Sequence, residues 1–313
     1  MIKYITIFFY FIFLNVSATE YLKFNAADPK FPNHSEVLVE ISFPKKITGK
    51  LPLIITQHGS TRDGKKIQDG ATDEYSKRII KEGTKQGFAV AALDAFYKKP
   101  ITSTEKTRFP DALNYANELR KILIKDERFD KEKFFYTGFS YGAQQVLKTI
   151  GAPYNNKNPN AWKAIASAEP GCNLFHKPIK LSFPVLIIKG EESHYYIEPC
   201  KILEKELLKA GNKVKLVNIP KVNHFFSTKG KIVKGVAVNG CRYDPIIKMP
   251  DGKSFLYSGA EISRKEARKR WFRKPENRKI YSEYQDKLRI INDNTTKATI
   301  KNYNKNIVDF NKN

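Results

Sequence analysis

Long hydrophobic runs and cysteine are scarce in this sequence, and each shortage excludes a class of protein. Beyond the first 18 residues no stretch approaches the roughly 18 apolar residues of a membrane-spanning helix, so we expect no stable membrane span once those residues are removed. Three cysteines are too few for a disulfide-built scaffold, and their spacing fits no zinc pattern. No repeat of about 20–50 residues is visible, which excludes a solenoid.

Acidic residues are also few relative to basic ones. The chain has 56 Lys and Arg against 32 Asp and Glu, a formal net charge of +24. Such a balance allows nucleic acid, anionic lipid or acidic substrates as partners, but most of the charge is spread thinly, which favours an ordinary solvated surface. Hydrophobic residues make up 41% of the 313 residues, which excludes a wholly disordered chain and suits one large α/β domain or two small ones.

The amino terminus has the pattern of a secretory signal. Lys3 supplies the positive charge, residues 5–14 form an apolar run, and small residues at 16–18 suit a signal peptidase. We therefore expect a signal peptide over residues 1–18 and a periplasmic or secreted mature protein. That compartment is oxidising, so cysteine pairs could form disulfides there.

Short apolar runs alternate with longer amphipathic stretches from residue 36 onward. This alternation predicts a mostly parallel sheet with helices on both faces, in one domain over residues 19–313. The core is expected over about 36–226, followed by a basic insertion over about 243–293 and a final helix over about 295–310. Strands are predicted at 36–43, 51–57, 88–93, 134–137, 162–168, 185–189 and 214–219, and helices at 73–86, 110–125, 141–150 and 199–210.

A serine stands between two glycines directly after one predicted strand. Gly138-Phe139-Ser140-Tyr141-Gly142 has the spacing G-x-S-x-G and opens an apolar helix. The pattern in this context is typical of a nucleophile elbow, in which a tight turn exposes a strained serine at the sheet edge. The amino terminus of the following helix stabilises negative charge on the reacting oxygen. We therefore predict Ser140 as a nucleophile.

Serine is a weak nucleophile unless a base takes its proton. His224 follows the last predicted strand by five residues, and in folds with this elbow the base comes last in chain order, so His224 is the candidate base. His58-Gly59-Ser60 ends the strand at 51–57. We expect the backbone amides of Ser60 and Tyr141 to form the oxyanion hole, with His58 holding the loop in place.

These segments, in this order, resemble the α/β-hydrolase fold and, more closely, the secreted branch of the dienelactone hydrolase family. The resemblance implies hydrolysis of a small-molecule ester or lactone, without metal or organic cofactor. It covers about residues 36–226. Four stretches carry it: residues 138–142, Glu169-Pro170-Gly171-Cys172, residues 184–191 with Cys200 beyond, and Asn223-His224-Phe225-Phe226.

The acid of the site departs from the family pattern. The family places an aspartate three residues after the glycine that ends the strand at 185–189, and this chain has Ser193 there. Glu192 is the first choice for the carboxylate because the longer glutamate side chain could reach from one position earlier. Glu191 is the second choice and Glu169 the third. If none reaches the imidazole, the site has lost its acid, which lowers turnover without abolishing it.

Two cysteines lie near the carboxyl ends of neighbouring predicted strands. Cys172 follows one strand, and Cys200 begins the helix after the next, so an exported chain could join them. The sequence leaves three pairings open, together with three reduced thiols, and Cys241 would be free if Cys172 and Cys200 pair.

Residues 264–279 are dense in Lys and Arg, with Trp271 and Phe272 among them. This segment favours either a solvated basic helix or a patch that prefers anionic substrates. Three functions therefore compete: a serine hydrolase (with a serine peptidase as a variant), a binding protein that keeps the fold without the acid, and a basic module for anionic polymers. The signal sequence weighs against nucleic acid as a partner.

Overall fold

A computed structural model shows an α/β sheet that carries the predicted nucleophile at one edge. It describes residues 18–60, 73–101, 109–156, 159–191, 193, 195–222, 224, 243–263 and 265–266. Cys241, the final helix, and all but a few residues of the signal peptide and of the basic segment at 264–279 lie outside the described residues. In the described part of the chain no helix is long and apolar enough to cross a membrane.

The main sheet has eight strands: β1 (Thr19–Asn25), β2 (Glu36–Ser42), β3 (Leu51–Gln57), β4 (Ala89–Asp94), β5 (Phe129–Phe139), β6 (Ala164–Ala168), β8 (Val185–Gly190) and β9 (Val214–Ile219). Their order across the sheet is β1-β2-β4-β3-β5-β6-β8-β9. β1 and β2 are antiparallel to their neighbours, and the other six strands are parallel to one another. The mostly parallel sheet that the sequence predicts is confirmed.

Helices cover both faces of this sheet. α2 (Ala112–Leu123), α3 (Tyr141–Leu147) and α5 (Glu198–Lys209) pack into the larger apolar cluster. α1 (Glu74–Lys85) packs into the smaller cluster on the opposite face. A 3₁₀ turn (Lys148–Ile150) and the short α4 (Ala152–Asn155) follow α3. These helices bury continuous apolar strands, as parallel sheets require.

The structure also contains a second, small sheet of four strands that the sequence does not predict. β7 (Leu174–His176) pairs in parallel with β10 (Ile246–Lys248), and β11 (Ser254–Leu256) and β12 (Glu261–Ile262) complete it. Residues 249–253 connect β10 and β11 in an antiparallel hairpin. The start of the segment predicted as a basic insertion therefore pairs with a strand of the core.

Cys172 and Cys200 form a disulfide, with their Cα atoms 5.1 Å apart. Both cysteines are fully buried. Of the pairings that the sequence leaves open, the structure contains the one between neighbouring strand ends. The bond ties the loop after β6 to the start of α5.

Candidate active site

The register of three neighbouring strands places three polar residues in one row. Phe139 pairs with Ala168, and Ala168 pairs with Ile188. The next residue along each strand is Ser140, Glu169 and Lys189. The row lies at the carboxyl edge of the sheet, which is where open α/β sheets bind their ligands.

Ser140 has the strained backbone that the elbow predicts. Its φ is 52° and its ψ is −108°, outside the conformations that non-glycine residues favour. A Cβ on Gly138 would lie 2.5 Å from the carbonyl carbon of Gly142, and one on Gly142 would lie 2.5 Å from the carbonyl oxygen of Gln57. Both glycines are therefore required for the close approach of strand and helix, while Ser140 remains partly exposed.

His224 is in contact with both Ser140 and a carboxylate. Its Nε2 lies 3.0 Å from Ser140 Oγ, and its Nδ1 lies 2.9 Å from Glu169 Oε2. A carboxylate only accepts, so Nδ1 carries the proton and Nε2 is free to accept from the serine hydroxyl. The imidazole lies between the rings of Phe139 and Tyr195, each with its centroid 5.2 Å away.

The carboxylate that meets the imidazole is Glu169, the third choice from the sequence. Glu192, the first choice, lies outside the described residues. Glu191 is exposed, and its Oε2 accepts from the Lys221 amide at 3.1 Å. Of the three candidate glutamates, Glu169 is the one that the described residues place at the imidazole, while the choice of Glu192 stays a prediction. The sequence signal for Glu169 is its place directly after a buried strand that neighbours the elbow strand.

Glu169 is completely buried and held at both oxygens. Oε1 accepts from the Gly190 amide, and Oε2 accepts from Lys189 Nζ at 3.0 Å and from Ser193 Oγ at 2.7 Å, besides His224. Burial would raise the pKa of this carboxyl, but the charge of Lys189 and the hydrogen bonds from His224 and Ser193 outweigh it and hold the pKa at about 2. Glu169 is therefore ionised at neutral pH.

The residues predicted for the oxyanion hole follow two neighbouring strands. Gln57 of β3 pairs with Gly138 of β5, so Ser60 and Tyr141 each come three residues after a paired position. The two segments are in contact, because a Cβ on Gly59 would lie 3.0 Å from Phe139 Cδ1. The loop after β3 and the turn after β5 therefore lie side by side at the carboxyl edge of the sheet.

His58 holds the loop after β3, as expected from the sequence. Its Nε2 accepts from the Ala95 amide at 3.1 Å, so its Nδ1 carries the proton and donates to the Gly59 carbonyl at 2.6 Å. The Gly59 amide donates to Asp73 at 2.7 Å. His58 is fully buried with both ring nitrogens bonded, which leaves it no nitrogen for proton transfer.

Two further residues, Lys189 and Tyr195, belong to the site, and no motif of the sequence predicts a role for either. The apolar pattern places Lys189 at the end of a predicted strand. A lysine at the end of such a strand is itself a signal, because lysine is almost never fully buried without a partner. Among the described residues no group of three or more His, Cys, Asp or Glu is placed to hold a metal ion.

Several solved structures share this architecture. The chain is similar to a hyperthermophilic esterase from the archaeon Pyrobaculum calidifontis, with 15% identity and a TM-score of 0.51 over 67% of this chain and 78% of that one. It is similar to esterase 2 of Thermogutta terrifontis, solved after phosphoramylation by tabun, with 15% identity and a TM-score of 0.51 over 68% and 86% of the two chains.

A third similar structure is a dienelactone hydrolase-like promiscuous phosphotriesterase from metagenomic libraries. It is 13% identical, with a TM-score of 0.50 over 85% of this chain and 98% of that one. No protein-family model and no curated protein matches the sequence. At such low identity the similarity shows the fold, and the chain has the α/β-hydrolase fold that the resemblance implied.

Proposed function

We propose that this protein is a serine hydrolase that cleaves a carboxylic ester or lactone through an acyl-enzyme on Ser140. The observation that carries the proposal is the continuous contact from Ser140 Oγ to His224 Nε2 (3.0 Å) and from His224 Nδ1 to Glu169 Oε2 (2.9 Å). A strained, accessible serine with a base and an oriented carboxylate is the arrangement that nucleophilic acyl transfer needs.

The first half of the reaction forms the acyl-enzyme. Ser140 Oγ attacks the carbonyl carbon while His224 Nε2 takes the hydroxyl proton, and Glu169 stabilises the imidazolium. The negative charge on the carbonyl oxygen falls between the amides of Ser60 and Tyr141. The bond to the leaving alkoxide then breaks, and the imidazolium returns the proton to that oxygen.

The second half repeats these steps with water. His224 takes a proton from water, the hydroxide attacks the acyl carbon, and Ser140 leaves with the proton restored. The product is a carboxylic acid (a lactone gives a hydroxy acid), and the enzyme returns to its starting state.

The alternative of a non-catalytic binding protein depends on the loss of the acid that orients His224. Glu169 supplies a carboxylate at hydrogen-bond distance from His224, so this alternative loses its support. A peptidase would use the same residues, because only the leaving group differs. The similar esterases and the dienelactone hydrolase-like phosphotriesterase favour esters over peptides as the first substrates to test.

We also propose that the protein works outside the cytoplasm. The Cys172–Cys200 disulfide supports this placement, since disulfides persist mainly in oxidising compartments. Fractionation of an expressing bacterium tests it: the processed protein is expected in the periplasm or the medium, and unprocessed protein confined to the cytoplasm would contradict the proposal.

The function is tested with a panel of p-nitrophenyl esters and lactones. The wild type should hydrolyse at least one member, and Ser140→Ala should abolish that activity while keeping the wild-type thermal unfolding profile. Dipeptide p-nitroanilides on the same plate test the peptidase variant. Equal rates for the wild type and Ser140→Ala would refute the proposal.

A further inference from the structure

A fully buried lysine lies behind the acid, where a serine hydrolase does not require one. The Lys189 side chain has no exposed surface. Its Nζ lies 3.0 Å from Glu169 Oε2 and 3.0 Å from Ser193 Oγ. An ammonium group is buried in this way only when paired charge and hydrogen bonds repay its loss of water.

Ser193 completes a small network around one carboxylate oxygen. Its hydroxyl donates to Glu169 Oε2 at 2.7 Å and accepts from Lys189 Nζ and from the Tyr195 amide, the latter at 3.2 Å. Ser193 occupies the position where the resemblance places an aspartate. β8 and the residues just after it thus carry a cation and a hydroxyl, and both bind a carboxylate that directly follows the neighbouring strand β6.

The charges in this network decide the protonation of the imidazole. A buried carboxylate needs a counter-ion, and in a simple acid–histidine pair only the imidazolium can serve. Such a pair raises the proton affinity of the histidine. Here the Lys189 ammonium already balances Glu169, so His224 need not be charged. Only a neutral imidazole can accept the proton of Ser140.

We propose that Lys189 is a positioning residue that acts as the counter-ion of Glu169 and so keeps His224 neutral, and able to accept a proton, in mildly acidic surroundings, while Ser193 fixes the carboxylate oxygen that faces the imidazole. The catalytic role given to Lys189 rests on the proposed function. The pairing of its charge with Glu169 is independent of that function.

The titratable groups that face His224, in the part of the chain that the structure describes, agree with this assignment. They are Glu169 at the end of β6, Lys189 on β8 behind it, and Tyr195 between β8 and α5, with Ser140 at the start of α3. Burial is the main cause that lowers the pKa of His224; the hydrogen bond and the charge of Glu169 raise it, and the charge of Lys189, a smaller cause, lowers it. Burial also lowers the pKa of Lys189, against the attraction of Glu169.

The test is an NMR titration of the His224 ring in the wild type and in Lys189→Met, with the resonance assigned from a His224→Gln sample. Methionine keeps the length of the side chain and removes its charge. We expect the wild-type midpoint below about 6.5, the ordinary histidine value, and a midpoint about one pH unit or more higher in Lys189→Met. A wild-type midpoint at or above that value, or an unshifted variant, would overturn the inference.

A second readout is the pH dependence of the rate at which a fluorophosphonate labels Ser140. The acidic limb of the profile should move upward in Lys189→Met. Ser193→Ala is the matched control, because it loosens the carboxylate but keeps the ammonium: labelling should slow while the limb stays in place. An equal shift in Ser193→Ala would contradict the role of the charge.

These readouts separate the two proposals. If the wild type fails to label at Ser140 at every pH, the hydrolase function fails, and the NMR titration still decides the counter-ion role. If the wild type labels normally and Lys189→Met shows no shift, only the inference about Lys189 fails. If Lys189→Met does not fold, Lys189→Gln, which removes the charge but keeps a hydrogen-bond donor, takes its place in both readouts.

Discussion

At the residue scale, the acid of the site is defined by contacts rather than by its place in a motif. Glu169 accepts four hydrogen bonds at its two oxygens, one of them from the imidazole. The fixed carboxylate holds the Nδ1–H tautomer of His224, which leaves Nε2 as the acceptor. A glutamine at this position would keep the shape and lose the charge.

Glu169→Gln should therefore lower turnover by about 10³–10⁴-fold, since loss of the carboxylate misorients the imidazole and leaves its positive charge uncompensated. Steady-state hydrolysis of the best panel ester measures this. Glu192→Gln and Glu191→Gln are matched controls that should keep near wild-type rates. A large loss in Glu192→Gln with little loss in Glu169→Gln would restore the first sequence-based choice.

Glu169 and His224 both make the free energy of unfolding decrease on acidification. The pKa of Glu169 is lowered from 4.5 to about 2 and the pKa of His224 is lowered from 6.5, so the unfolded chain binds more protons than the folded one in acid. Stability should fall as the pH drops below about 6.5 and fall further between about 4.5 and 2. Urea unfolding at a series of pH values measures this, and stability that rises on acidification would contradict these pKa directions.

At the scale of elements, the disulfide supports the segment that carries the acid. Cys172 lies three residues after Glu169, and Cys200 lies on the helix that follows the strand of Lys189. The bond thus ties the loop of the acid to the segment that follows its counter-ion. It closes a chain segment of 28 residues.

Replacing both cysteines by serine should destabilise the protein by about 3 kcal/mol, mainly because the unfolded chain gains freedom. Urea unfolding of the wild type and of Cys172→Ser/Cys200→Ser measures the difference. Reductant should lower the wild-type midpoint to that of the double variant and leave the double variant unchanged. A wild-type midpoint insensitive to reductant would argue against the bond.

Elements with a clear hydrophobic period were predictable from the sequence, and those made by pairing alone were not. β3 and β9 have the predicted bounds, and α1 and α5 differ by a residue at each end. β1 was missed because it is largely exposed and is defined by its register with β2. β7 and β10 are three-residue strands joined across about 70 residues of chain, which no local pattern can reveal.

The candidate site divides in the same way: residues placed by a local pattern are predictable from the sequence, and those placed by strand pairing are not. Ser140 and His224 follow strands at one sheet edge, and a local rule finds both. The role of Glu169 depends on its neighbour strand, since Lys189 and Gly190 supply the charge and the amide that hold it. Such a pairing across strands becomes visible only when the register of β6 with β8 is known.

At the scale of the whole molecule, the net charge of +24 should favour anionic substrates through long-range attraction. For an anionic ester, kcat/KM should fall severalfold as NaCl rises from about 0.01 M to about 1 M, because the Debye length shrinks from about 30 Å to about 3 Å. A neutral ester of the same acyl group is the control and should change little. Equal salt dependence of the two would mean that the charge does not act on the substrate.

The central claim is that Ser140, activated by His224, forms a covalent bond to an acyl-like electrophile. Intact-mass spectrometry after treatment with a fluorophosphonate tests it most directly, with a peptide digest to locate the adduct. The account predicts one adduct per chain on Ser140 in the wild type, none in Ser140→Ala, and much slower labelling in His224→Gln. An unmodified wild type, or an adduct of equal yield in Ser140→Ala, would contradict it.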